Sequence, residues 1–287
     1  MWFEAVHAIR YAYSGPVRLG PHTLRLLPRP DGAQRLISAA WDIRPAPAGS
    51  ARNLDLNGND VLEIWFSEPT TALSLRFRSR VETFRANPFD YVPLRPQLPV
   101  DYGDRAGILA PYRHPVGPQT DMDAFARQIR EESGGRADAF LPLLCRRING
   151  LFAREVREEG PARSPGATWA IRRGACRDLA WFFVDCCRRE GFAARFVSGY
   201  HEDDSQRFRR DLHAWAEVYV EGGGWRGFDP TTGMAVADRH IPLAAGSTPA
   251  EAAPVEGAFG ADGVTAAMTY ELSLVRVGAA APTETPA

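Results

Sequence analysis

Residues 174–191 read GACRDLAWFFVDCCRREG. From Cys176 onward, apolar residues recur at three- and four-residue spacing, which predicts a short helix closed by Gly191. Cys176 sits at the mouth of that run, where the Pro-, Gly- and Ser-rich loop GPARSPGATWAIRRG (160–174) gives way to it. A cysteine kept only for packing belongs inside the run. In the first turn its sulfur meets unpaired N–H groups and the positive end of the helix dipole, which favours thiolate over thiol. A thiolate nucleophile needs an imidazole beside it and a third group to orient that imidazole.

Three β-like runs follow: AARFVSGY (193–200), HAWAEVYV (213–220) and WRGFD (225–229), the last two joined by EGGG. His213 opens the second and Asp229 closes the third, so a hairpin can bring them together. With Val220 paired to Trp225, Ala216 would face Asp229 and His213 would point to the opposite face. A bulge absorbing part of Gly222–Gly224 is therefore expected, to slide His213 opposite Asp229.

The ordered motifs CRDLA, ARFVSGY, HAW, GW and FDPTTG within 174–233 resemble the catalytic core of the bacterial transglutaminase-like superfamily. The strands upstream, with DLNGNDV (55–61), are similar to the β-rich N-terminal region of bacterial members. The resemblance implies a papain-like fold with Cys176 as nucleophile, His213 as base and Asp229 as orienting carboxylate. After RHIPLAAG the chain departs from the family pattern: where many members carry an Arg-Asp-Tyr type of stretch, it reads STPAEAAPVEG (247–257). That loop should lie near the active site, so the family's substrate preference does not carry over.

The rest of the chain predicts an α+β protein: an N-terminal β-sandwich-like domain followed by a papain-like, transglutaminase-like catalytic domain. Short alternating runs bounded by turn formers fill residues 1–94. A linker at 95–118 follows, within a stretch carrying seven prolines between Pro88 and Pro118 and expected to wrap as extended chain. The catalytic domain is assigned to 119–277. It includes a helix capped by Asp121, a longer helical pattern over ADAFLPLLCRRINGLFAREVREE (137–159) with Pro142 in its first main turn, and a closing strand run AAMTYELSLVRV (266–277). Residues 278–287 are too poor in large apolar side chains to order and are read as a disordered tail.

Composition narrows the function. With 34 basic against 35 acidic residues and a net charge of −1, nothing points to nucleic acid or to an anionic membrane surface. All the basic residues are arginine; the chain has no lysine. No secretory leader pattern or long apolar run is visible, and four cysteines in a chain of 287 residues need no disulfide framework, so a cytoplasmic protein with reduced thiols is expected. Cys145, Cys186 and Cys187 read as structural. His201 is the rival base but heads a polar loop, which favours a solvated histidine. The acidic residues at 202–204 lack the alternating oxygen spacing of a calcium loop, so no metal or cofactor is expected. Trp169, Arg177 and Trp215 are cleft candidates, and Asp178 suits capping of the helix that starts at Cys176.

The expected activity is cleavage of amide or peptide bonds in a peptide or protein substrate through an acyl-enzyme on Cys176. Two alternatives stand beside it: amine transfer by a protein-glutamine γ-glutamyltransferase, and a non-catalytic binding module on the same fold. Oligomeric state is left open.

Overall fold

A computed structural model of the chain describes residues 1–118, 121–157, 159–202 and 212–278. Strands β1 (Trp2–Leu24), β2 (Gln34–Arg44), β3 (Gly49–Leu54), β4 (Asp60–Trp65) and β5 (Thr70–Thr83) form most of a first, antiparallel sheet ordered β2-β5-β1-β4-β3. The long β1 holds it together. Its first half pairs with β5 and its last residues with β4. Phe3, Ala5, His7 and Ile9 face inward by simple alternation; beyond Leu19 the inward set moves to His22 and Leu24. A register shift between Leu19 and His22 accounts for the change, because one extra residue moves every later side chain to the other face.

The chain continues through α1 (Asp121–Glu132), α2 (Ala137–Leu151), β6 (Ala153–Arg154), α3 (Pro165–Ile171), β7 (Arg173–Gly174) and α4 (Cys176–Arg189). A second antiparallel sheet follows, made of β8 (Ala194–His201), β9 (His213–Val220), β10 (Gly224–Asp229), β11 (Met234–Ala235) and β12 (His240–Gly246) in the order β11-β10-β9-β8-β12. Phe182, Phe183 and Cys187 of α4 share a core with Phe140, Leu144, Phe192 and Phe228. A second core joins Phe3, Leu24 and Phe77 of the first sheet to Tyr200, Ile241 and Leu243 of the second. Covered by elements on both sides, β8 and β12 are buried at nearly every position, which is why their sequences are runs rather than alternations. Among the described residues no helix is long and apolar enough to cross a membrane.

The α+β class and the N-terminal β-rich region agree with the sequence reading; four local expectations are corrected. The closing strands β13 (Val255–Gly260) and β14 (Ala266–Val277) leave the catalytic sheet and pair with β1, from Trp2 with Val277 to Tyr13 with Ala266 for β14. They cover the edges of β1 that β5 and β4 leave open. The 95–118 segment is no bare spacer: Val100, Tyr102 and Leu109 are buried in the α4 core, and the Tyr102 hydroxyl donates to Tyr219 C=O at 2.8 Å. The 160–174 loop contains α3, which starts as a capped helix should, with Ser164 Oγ accepting from Ala167 N–H at 3.3 Å and Pro165 in the first turn. The α2 pattern ends at Leu151, not Glu159, because residues 153–154 pair with β7 instead. Of the proposed tail, 279–287 lie outside the described residues.

Candidate active site

Helix α4 carries Cys176 at its first position and ends where Gly191 takes φ 85°. There Phe192 N–H donates to Cys187 C=O and Gly191 N–H to Arg188 C=O, the paired bonds that close a helix on a left-handed glycine. At the other end the N-cap is Ala175, which has no side-chain acceptor. Asp178, fully buried, accepts from Ala175 N–H at 2.9 Å, Arg163 N–H at 2.7 Å and Arg157 Nη2 at 2.6 Å. It fixes the turn that presents Cys176 and ties the 157–163 strip to it. Arg177 adds to that strip by donating to the carbonyls of Arg157 and Glu159 at 2.7 Å each.

The hairpin reaches its geometry without a bulge. Gly224 pairs with Val220 and Phe228 with Ala216 in unbroken register, one residue away from the simple Val220–Trp225 pairing, and the bulge expected to slide His213 opposite Asp229 is not formed. Only residues 221–223 lie in the turn, with Gly223 N–H donating to Val220 C=O at 2.9 Å and Gly222 at φ 87°. A one-residue change flips the face of every side chain in a strand, so Asp229 shares a face with His213 and Trp215. His213 Nε2 lies 2.9 Å from Asp229 Oδ2. Asp229 also accepts from Thr231 N–H at 2.9 Å and from Thr232 Oγ1 at 3.1 Å. Gly199, opposite His213 on β8, admits no side chain: a Cβ would run into Ile241 C=O and the Trp215 ring.

Cys176 meets His213 and Ala214 on the cleft lining, and both act on the titration of its thiol. Burial alone raises its pKa, but the His213 hydrogen bond and charge outweigh this and leave it lowered. For His213 burial acts downward and is outweighed by the charge and hydrogen bond of Asp229, so the imidazole is raised to about 10. Asp229 is held well below the usual carboxylate range; burial opposes this, and the charge and hydrogen bond of His213 dominate. Burial instead pushes the thiols of Cys145, Cys186 and Cys187 well up. Iodoacetamide at pH 7 is therefore expected to modify one thiol per native chain, Cys176, with a rate at least ~10-fold above that of a free thiol at low reagent concentration. Peptide mapping that finds Cys145 labelled as fast would contradict this.

Two more histidines adjoin the pair. His240 Nε2 is 3.5 Å from Asp229 Oδ2, and the His201 ring stacks on that of His240 with centroids 4.1 Å apart and lies 5.1 Å from that of His213. His201, expected as a solvated loop residue, is the last residue of β8 and half-buried.

A cleft of about 1600 Å³ opens over Cys176, His213 and Arg177. One wall is the first sheet, with His7, Ile9 and Tyr11 of β1 and Met268 and Tyr270 of β14; another is the divergent 249–255 loop. Of the three cleft candidates, Arg177 lies on the cleft lining and Trp169 and Trp215 do not. Trp169 stacks on Phe182 with the Arg172 guanidinium 3.0 Å from its ring centroid. Trp215 shares the His213 face but is fully buried among Val197 and Ala245, with its ring edge-on to His240. Both are packing residues because neighbouring aromatics or strands close over them.

Residues 3–82 match the model of the bacterial transglutaminase-like N-terminal region, and residues 124–230 match that of the transglutaminase-like superfamily core. The chain belongs to the transglutaminase-like superfamily. Relatives of this family include an uncharacterized protein of Mycobacterium tuberculosis, 27% identical over 278 residues that cover 89% of this chain and 86% of the relative. Another, from Mycobacterium leprae, is 25% identical over 281 residues, covering 92% and 96%. The fold is shared with a crystal structure named "a Putative Cysteine Protease from Cytophaga hutchinsonii", at TM-score 0.74 and 20% identity over 98% of this chain and 92% of that one. Within this transglutaminase-like frame the sequence reading missed the place of His240 beside Asp229. Only the β12–β8 pairing of His240 with His201 reveals it, and no local signal in RHIPLAAG encodes which strand β12 joins.

Proposed function

We propose that the protein is a thiol hydrolase that cleaves amide bonds in peptides through an acyl-enzyme on Cys176. The observation that carries the reading is Cys176 and His213 together on the cleft lining, with the buried Asp229 2.9 Å behind the imidazole. The thiolate attacks the amide carbonyl carbon, and the resulting oxyanion is met by the Cys176 backbone N–H, which at the first turn of α4 has no intrahelical acceptor. His213 delivers its proton to the amine nitrogen, the C–N bond breaks and a thioester remains. Water then attacks, His213 takes its proton, and the C–S bond breaks to release the acid and restore the pair.

The cleft volume of about 1600 Å³ exceeds the several hundred Å³ that suit a small molecule, which favours a peptide or an exposed protein segment as substrate. A cleft this wide admits water to the thioester, so hydrolysis is favoured over transfer to an amine. The free cysteines suit a reducing, cytoplasmic setting.

The test is a peptide library with an added primary amine and Gln-containing members, read for cleavage, amine uptake and ammonia. Cleavage lost in Cys176→Ala is expected. Uptake with ammonia would replace the reading by amine transfer, and turnover that survived Cys176→Ala would end it. Self-crosslinking is uninformative, since the chain has no lysine to form an isopeptide bond with its own acyl-enzyme.

A further inference from the structure

We propose that His201, His213, His240 and Asp229 form a binding site for a zinc-class divalent metal ion, and that its occupancy shuts off the thiol chemistry of Cys176. Each of the four offers one ligand atom, and these atoms all lie within 4.8 Å of one another. Among the described residues this is the single group of three or more His, Cys, Asp or Glu side chains so placed. A tetrahedral zinc ion with bonds near 2.0–2.1 Å holds its ligands about 3.4 Å apart. Two of the measured separations bracket that value: His213 Nε2 to Asp229 Oδ2 at 2.9 Å and His240 Nε2 to the same oxygen at 3.5 Å. Small side-chain rotations close the remainder.

The donor set selects the ion. Three imidazoles and one carboxylate suit zinc, cobalt or copper and not calcium or magnesium, which take oxygen ligands. The surroundings are those of a built site. His213, His240 and Asp229 are nine-tenths buried or more. Thr231 N–H on Oδ1 and Thr232 Oγ1 on Oδ2 hold the Asp229 carboxylate, the kind of outer support that orients a ligating group. His201 and His213 line the cleft, which gives an ion its way in. Of the acidic run at 202–204, considered above for calcium, residues 203 and 204 lie outside the described residues.

The regulatory consequence rests on the proposed function; the binding itself does not. Coordination replaces the proton shared by His213 Nε2 and Asp229 Oδ2, which leaves to solvent. His213 is then fixed as a metal ligand and is lost as the acid that a leaving amine needs. An ion here acts as a reversible stopper on an otherwise complete thiol centre.

The experiment keeps the two parts separate. Full-length Cys176→Ala, stripped with a chelator, is titrated with cobalt(II) and read by its visible d–d absorption, with zinc as competitor. One ion per chain is expected, displaced by zinc, with affinity at least ~10-fold weaker in Cys176→Ala carrying His201→Gln or His240→Gln, the scale of losing a ligand or its support. Loss of binding in Cys176→Ala itself would place the ion on the thiolate and overturn the site. Equal affinity in both histidine variants, each checked for native circular dichroism, would overturn it as well. With Cys176 present, cleavage of the peptide library, the step that needs His213 as acid, is measured with and without equimolar zinc as a ratio within each variant. At least ~10-fold inhibition, reversed by chelator and absent in His201→Gln, is expected; a cobalt site that gives no inhibition would refute the shut-off. A wild-type protein whose Cys176 is unreactive even without metal would instead refute the hydrolase reading and leave the cobalt result standing.

Discussion

Asp229→Ala is expected to lower kcat/KM for amide cleavage by about 10³–10⁴-fold, the scale found when a catalytic triad loses its orienting carboxylate. His213 is buried, and burial alone drives an imidazole toward neutrality. The charge of Asp229 and its 2.9 Å hydrogen bond are what hold it raised. Without them His213 loses its proton at neutral pH and the Cys176 thiolate loses its counter-charge. The sign of the shift follows: Cys176 labelling at pH 7 slows, and its inflection moves to higher pH. Asp229→Asn separates charge from geometry. It keeps an oxygen for Thr231 N–H and a partner for His213, so it should retain more activity than the alanine variant while showing the same direction of shift. An alanine variant within tenfold of wild type, with native circular dichroism, would remove Asp229 from the mechanism.

The largest stability effect is expected at a residue outside the reaction. Glu217 on β9 is buried between Arg29, at 2.7 Å, and Arg195, at 2.6 Å and 2.8 Å. Arg29 follows β1 and Arg195 lies on β8, so one carboxylate ties the first sheet to the second. Arg195 also lies over the Trp225 ring, 4.0 Å from its centroid. Removing the shared partner strands the buried Arg195 guanidinium and leaves Arg29 only Asp31, at 3.2 Å, so Glu217→Ala should cost about 3–5 kcal/mol. For a chain of this size that corresponds to a fall in melting temperature on the order of 10 °C. Adding Arg29→Met and Arg195→Met to Glu217→Ala should regain most of the loss, because well-packed apolar groups replace a buried ion cluster at little cost. A single variant that melts within about 3 °C of wild type would show that water already reaches the cluster.

The pH dependence of the same carboxylate follows from linkage. Burial pushes Glu217 upward, but Arg29 and Arg195 dominate and lower it from 4.5 to about 2. A depressed carboxylate contributes its full stability above the unfolded value. That contribution is lost as pH falls from about 4.5 toward about 2. Glu217→Ala should show a correspondingly shallower acid transition in denaturant melts.

The sequence by itself determined the parts whose signals are local. Cys176 at the mouth of α4, the cap formed by Asp178 and the closure at Gly191 follow from side-chain period and helix-end chemistry within a few residues. The HAW and FDPTTG runs placed His213 and Asp229 on neighbouring strands because a glycine turn can join only what flanks it. Tertiary structure decided what depends on distant pairing. The hairpin register turned on whether three or four residues fill the turn, a choice set by packing around Gly222, where a side chain would run into Val92 C=O. His201 and His240 met because β12 pairs with β8, and β14 joined β1 because that edge was open. Trp215 came to pack on Val197 and Ala245, edge-on to His240, because β12 extends the sheet beyond β8. Local periodicity records which side of a strand is apolar; it does not record which strand, many residues away, supplies the apolar or polar partner, since that is settled only when the sheets close on a shared core.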